Sequence, residues 1–312
     1  MLRASEFVRT MYRHAVRIVS RSTPCFAFRG LGAARGGMAW VAAVALAVAA
    51  PQVWASSSSG KPAPAATVAP GACAHPVYLT IDTGHMGVAP LIADVLARQG
   101  VKATFFLANE RTQAVDGRSE GSTLDDAWAP WWRQLASQGH DFGSHTWDHV
   151  VWRADEAGGF RVQSTAGARN GQRVQMTPAD YCDQLAQPAR RFMQMTGQPM
   201  RAIFRAPGGK TSPALLAAAR SCGWTHVPWT PHGFLGDELS SDRYPNALLL
   251  ERALKNVREG DILLMHLGIW SRQDPWAPAV LEPLIVALKA KGLCFATLRS
   301  HPQFAQIGAA PR

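Results

Sequence analysis

Two histidines four residues apart, in Ser144-His145-Thr146-Trp147-Asp148-His149, are the first residues whose types and spacing suggest chemistry. If the chain turns into a helix after the short run His140–Gly143, positions i and i+4 project from one face. Two imidazoles on one face can grip a zinc-like ion, with bonds of about 2.0–2.1 Å. Taken alone, the pair is also what surface or capping histidines produce. It gains meaning from Asp82, Arg205 and His266, which stand at the ends of short apolar runs as His145 stands at the end of a mixed one.

Those runs belong to an alternating pattern. Strands are expected at 77–82, 101–107, 140–144, 200–205, 224–229, 261–266 and 293–298. Between them the pattern predicts helices at 90–99, 124–138, 178–196, 212–222, 246–259 and 278–291. Such alternation implies βαβ units and a parallel sheet, either open or closed into a barrel. No Gly-x-Gly-x-x-Gly follows the first strand, which removes the main support for a dinucleotide fold. Asp82, His145, Arg205 and His266 all fall at carboxyl ends of strands, where a β/α barrel carries its site. The expectation is a single catalytic domain over 75–305, a distorted parallel (β/α)7-type barrel. Residues 151–176 break the alternation. Phe160–Ser164 and Gln172–Met176 alternate with period two around a Gly/Asn-rich turn, predicting a hairpin beside the histidines. It is either a wall of a substrate groove or a solvated loop.

Charge narrows the partners. Of the formal +10, residues 1–55 hold seven Arg against one Glu, leaving only +4 and no basic run in the rest. That argues against nucleic acid. The Arg-bearing segment, the apolar stretch 38–50 and Val53-Trp54-Ala55 together read as a secretory signal peptide. A retained signal anchor is the alternative, and membrane association follows only if the signal stays uncleaved. Ser56–Ala74 reads as a disordered Ser/Pro/Ala linker. The body of the chain is therefore expected to be secreted or periplasmic. Its four cysteines, 73, 182, 222 and 294, fit either disulfides or buried thiols.

In combination these segments resemble the polysaccharide deacetylase family, the NodB-homology domain of the carbohydrate esterases. Thr80-Ile81-Asp82-Thr83-Gly84 looks like its first motif, Ser144–His149 its second and Arg205-Ala206-Pro207-Gly208-Gly209 its third. Val227-Pro228-Trp229 lies where the fourth should be, and Leu263-Leu264-Met265-His266 resembles the fifth. The resemblance covers roughly 77–298. It implies Asp82 as general base, Arg205 as the residue pairing with that base, and His266 as general acid. It implies His145 and His149 as ligands of a divalent ion, zinc first, with cobalt or nickel as alternatives. Pro207, Trp229 and Leu264 are the implied substrate-binding residues, with Leu264 facing the acetyl methyl. A backbone N–H after the first motif is expected to serve the oxyanion, a donor typically worth about 2.7–4 kcal/mol.

Two positions depart from the family pattern. Thr83 stands where a second Asp would be the third metal ligand, and a neutral hydroxyl is a far weaker ligand than a carboxylate. The ion is then held at reduced affinity with Asp82 or water, or His85 swings in, or no metal binds. In the fourth motif the acid that would tune His266 is unassigned; the nearest acids are Asp237 and Glu238, and Asp237 is the choice.

Nine tryptophans remain after the presequence. Trp147, Trp152, Trp229, Trp270 and Trp276 are expected in or near loops at the active-site end, where an indole face suits a sugar ring. Trp128, Trp131 and Trp132 read mainly as packing. Three functions stay open. One is an exported metal-dependent deacetylase of an N-acetylated or O-acetylated polysaccharide. Another is a silent glycan-binding domain that lost its ion at Thr83. The third is a hydrolase of another C–N bond, disfavoured by the signal. The fold implies that Cys73 and Cys294 both lie at the amino-terminal rim, adjacent if the barrel nearly closes. Cys182 and Cys222, on helices running the same way, should exceed the ~7 Å Cα limit for bridging.

Overall fold

Short β-branched and aromatic runs separated by amphipathic helices set the strands parallel, because each strand must return through a crossover helix. In the computed structural model, which describes residues 73–272, 274 and 276–311, the first half of the order is β1 (Pro76–Asp82), α1 (Ala89–Arg98), β2 (Thr104–Leu107), α2 (Ala129–Ser137) and β3 (Asp141–Ser144). An insertion follows, formed by β4 (Val150–Glu156), β5 (Gly159–Ser164) and β6 (Arg173–Met176). Next come α3 (Pro178–Thr196), β7 (Ile203–Phe204), α4 (Pro213–Ser221), β8 (Thr225–His226) and α5 (Asn246–Asn256). The last elements are β9 (Ile262–His266), α6 (Trp276–Ala279), α7 (Leu281–Ala290) and β10 (Cys294–Phe295). The presequence and nearly all of the linker lie outside the described residues. Among the described residues no helix is long and apolar enough to cross a membrane.

Seven strands form one parallel sheet in the order β10-β1-β2-β3-β7-β8, with β9 also paired to β1. Strands β8 and β9 are not bonded directly. The segment after β8 fills the gap, with Thr230 N–H donating to Ile262 O and Leu264 N–H to Gly233 O. The result is the distorted (β/α)7-type barrel expected from the alternation. Neighbouring phenylalanines of β2 show how its two faces differ. Phe105 packs outward against Trp131, Trp132 and Phe142, whereas Phe106 turns inward with Tyr78, Ile203, Val227 and Ile262. The Trp128/Trp131/Trp132 cluster is buried packing, as read from the sequence.

The insertion is an antiparallel three-stranded sheet, β4-β5-β6, so the expected hairpin gains a strand at Val150–Glu156. The domain also extends past residue 305, because Ala202 N–H donates to Gly308 O and Ala310 N–H to Met200 O.

Cys73 is bridged to Cys294 with a Cα separation of 5.6 Å, in line with their rim placement. The other expectation is overturned, since Cys182 and Cys222 are also bridged, at 6.2 Å. The helix ranges hold, but the assumption that neighbouring helices run in step does not. Helix α3 has nineteen residues and α4 only nine. Cys182 Sγ lies 3.6 Å from the Ala218 carbonyl, so the end of α4 meets the first turns of α3.

Candidate active site

Parallel register brings the site together. Asp82 of β1 is paired with His266 of β9, and His145 and Arg205 follow directly on β3 and β7. Arg205 Nη1 donates to Asp82 Oδ1 at 2.9 Å, and His145 Nε2 lies 3.5 Å from Asp82 Oδ2. All three side chains are buried. Burial alone would raise the Asp82 carboxyl. Arg205 first, then His145 and His266, outweigh it and hold the group below its ordinary value. The Arg205 guanidinium is fixed by its Nε–H to Val227 O and by the Phe106 ring 4.5 Å from it, with the Trp229 ring at 5.8 Å. Trp229 is set close by Gly209, whose φ is +64° and where a Cβ would meet the indole Cη2 at 2.5 Å.

His145 and His149 are together, with ring centroids 4.8 Å apart, but not on a helix. A turn joins β3 to β4, and Thr146 (φ +65°) and His149 (φ +47°) both take the left-handed conformation. A β-branched residue there is a true outlier. It is held because Thr146 Oγ1 accepts the Val150 N–H and Asp148 is tied to Gln184 and Arg169. Both ring tautomers follow from the partners. His145 Nδ1–H donates to the Arg205 carbonyl at 2.9 Å. The Thr165 hydroxyl donates to His149 O, so its oxygen accepts the His149 Nδ1–H. Each ring thus has its Nδ1 anchored and its Nε2 lone pair free, the arrangement of metal-ligating imidazoles. Burial, opposed by Asp82, pushes the His145 imidazole down to about 4 and keeps it neutral.

Thr83 does not match these donors. Its hydroxyl oxygen accepts the Ala108 N–H at 3.0 Å. His85, the suggested substitute, is spent as well: Nδ1 accepts the Gly87 N–H and the ring packs against Trp270. As the side chains stand, no three His, Cys, Asp or Glu donors among the described residues are gathered closely enough to hold an ion. The two imidazoles fit a divalent ion, and position 83 does not complete the set. Nor are the Thr83 and His85 N–H groups free for an oxyanion, because they donate to Phe106 O and Gly268 O. Gly84 is required between them, as a Cβ there would meet Gly268 O at 2.1 Å.

His266 lies between two carboxylates. Asp237 accepts both its backbone N–H (2.7 Å) and its Nδ1–H (3.1 Å), while Glu238 Oε2 is 3.5 Å from Nε2. Burial alone would lower the imidazole. Asp237, helped by Asp82 and Glu238, raises it to about 9. Of the two acids offered for the fourth motif, Asp237 is the one hydrogen-bonded to His266. Glu238, the other acid that the sequence offers for this motif, faces the opposite nitrogen of the same ring. Burial raises the Glu238 carboxyl itself, partly offset by His266. Leu264 is buried two residues before His266 on the same side of β9, and Pro207 is buried after Arg205.

A cleft of about 310 Å³ opens beside His266 and Asp237, walled by His85, Gln113 and Trp270. Trp270 is 55% exposed, whereas Trp276, which also lines the cleft, is buried at the start of α6. Trp152 is tied to Asp155 through its indole N–H.

Residues 71–227 match the polysaccharide deacetylase family, and the chain belongs to that family. It is 25% identical over 232 residues to the chitooligosaccharide deacetylase of Azorhizobium caulinodans, covering 71% of this chain and 92% of the relative. A family 4 acetyl xylan esterase from Clostridium thermocellum, solved with a cobalt ion, superposes with a TM-score of 0.52 at 23% identity, over 71% of this chain and 87% of that one. A family pseudoenzyme from Bacillus anthracis superposes equally well, at 0.52 and 19% identity, over 73% and 65%. The fold therefore accommodates active and inactive sites alike, and activity has to be argued from residues.

Proposed function

We propose that the chain is an exported hydrolase that removes acetyl groups from an N-acetylated or O-acetylated polysaccharide, with a divalent ion at His145 and His149. The observation that carries this reading is the convergence of Asp82, paired with Arg205, and His266, paired with Asp237, on adjacent strands, with the His145 and His149 rings 4.8 Å apart beside them. A bound ion would polarise the acetyl carbonyl and acidify the attacking water. Asp82, kept ionised and oriented by Arg205, takes the proton of that water. His266, kept protonated and aimed by Asp237, gives a proton to the departing amine or alkoxide. Trp229 walls the site on the Arg205 side, Leu264 and Pro207 line it, and exposed Trp270 offers a face to a sugar ring. Zinc suits two imidazoles, with cobalt and nickel as alternatives.

Export is supported by the Arg-bearing presequence and by two disulfides, which persist in oxidising compartments. Acetate release from acetylated chitooligosaccharides with Zn²⁺ or Co²⁺ added tests the activity. It should be lost in Asp82→Asn and His145→Ala. Thr83 favours a second reading, a silent glycan-binding domain. Background release with every metal, together with retained glycan binding, would select it.

A further inference from the structure

The family site lacks a carboxylate at Thr83, yet a buried carboxylate oxygen without a hydrogen-bond partner belongs to the segment that leaves the neighbouring strand. Strand β2 runs beside β1 with Asp82 opposite Phe106, so Thr83 stands next to the chain as it leaves β2. Thr83 N–H donates to Phe106 O, and Ala108 N–H donates back to the Thr83 hydroxyl. The same segment is bonded on its other side to the histidine turn, where His145 N–H donates to Leu107 O and Asn109 N–H to Trp147 O. The next residue is Glu110. Its backbone is fixed at both ends by Thr123, whose hydroxyl accepts the Glu110 N–H and whose N–H donates to Glu110 O. Its side-chain Oε2 is buried and has no hydrogen-bond partner.

An unpaired buried carboxylate oxygen is unfavourable unless a cation or donor comes to it. The Glu110 charge already acts on His145 and on His85. The other nearby carboxylates are committed, Asp82 to Arg205 and Asp237 to His266, while Glu238 sits against His266 Nε2 and is 44% exposed.

We propose that Glu110 is the carboxylate ligand of the ion at His145 and His149, so that the acid missing from the end of β1 is supplied from the end of β2. The proposal rests on reading the two histidines as an ion site. Its donor set is two imidazoles and one carboxylate, which suits zinc or cobalt better than two imidazoles and a hydroxyl. The segment just before Glu110 is bonded to the histidine turn through Leu107 and Asn109, so the proposal requires the Glu110 side chain to rotate toward the two imidazoles when the ion binds.

The test is Co²⁺ titration of the purified full chain, followed by visible absorption and by competition with a chelator. Glu110→Gln should weaken Co²⁺ binding by at least about tenfold, toward a hundredfold, and change the spectrum. Adding Thr83→Asp to Glu110→Gln should restore the affinity. Unchanged affinity and spectrum in Glu110→Gln overturn the proposal. If Glu110→Gln does not fold, Thr83→Asp alone decides. A gain below about tenfold means a carboxylate was already present, and a gain of about a hundredfold or more means none was. His145→Ala and His149→Ala separate this proposal from the functional reading. Uptake lost in both but intact in Glu110→Gln rejects Glu110 only. A wild-type chain that takes up no Co²⁺ or Zn²⁺ overturns the proposal and the metal-dependent function together.

Discussion

Replacing Asp237 by Asn should move the alkaline limit of activity without moving the acid one. In the native site His266 is held at about 9 because Asp237 contributes both the largest nearby charge and a hydrogen bond, against burial that pushes the other way. As the proton donor, His266 works while protonated. Activity that depends on it is therefore present below about pH 9 and falls as the pH rises through that value. Removing the Asp237 charge leaves Asp82 and Glu238 to oppose burial. An opposite charge at this range shifts a pKa by about 1–3 units, so a fall of about two units is expected. At pH 8 the protonated fraction would drop from about 90% to about 10%, close to a tenfold loss of rate, while at pH 6 little is lost on this account.

Asparagine keeps the shape of the side chain and can still accept the Nδ1–H. One of its two positions must then face the His266 backbone N–H with an NH₂ group, costing about 1–3 kcal/mol of stability. The assay is kcat/KM for acetate release from a chitooligosaccharide between pH 5 and 10, with folding checked by circular dichroism. An alkaline limb that stays near its wild-type position in Asp237→Asn would refute the assignment of His266 as the proton donor tuned by Asp237.

Three other expectations follow from single features. Arg205→Met strands the buried Asp82 carboxylate and should destabilise the chain by about 3–5 kcal/mol in denaturant titrations, a measurement independent of activity. In the wild type, the depressed Asp82 carboxyl contributes stability that is present above the ordinary carboxylate pKa and lost as the pH falls through its folded value. That acid-side loss should shrink in Arg205→Met. Cys182→Ser with Cys222→Ser opens a 40-residue loop and should remove up to about 4 kcal/mol, and unreduced peptide mapping should recover both the 73–294 and 182–222 linkages. Trp270→Ala removes an exposed ring and should leave the melting temperature unchanged. It should raise KM for longer oligomers more than it lowers kcat, and an unchanged KM would remove Trp270 from the sugar-binding surface.

The parts of this fold that were legible in the sequence are those written in side-chain polarity. Apolar runs ending in Asp82, Arg205 and His266, and a mixed one ending in His145, mark strands and their carboxyl ends, and parallel register then brings the four together. What the side chains do not encode is backbone direction. The His145–His149 spacing suggests a helix, but Thr146 and His149 take left-handed conformations that tertiary bonds impose, and no residue preference announces them. Relative helix placement is hidden for the same reason, which is why the Cys182–Cys222 bridge could not be foreseen from two correctly located helices.

Glu110 shows where a signal was available. A substitution such as Thr83 invites a search for compensation within its own motif, and His85 answers that search on proximity alone. Parallel strands place functional groups by level across the sheet, however, and sequence distance is a poor guide to level. Asp82 is opposite Phe106. Residues just past β2 are therefore the first lateral neighbours of Thr83, twenty-odd positions away in the chain. Read along that level, the change at position 83 relocates the carboxylate from one strand end to the next, and the two histidines and the catalytic pair keep their places.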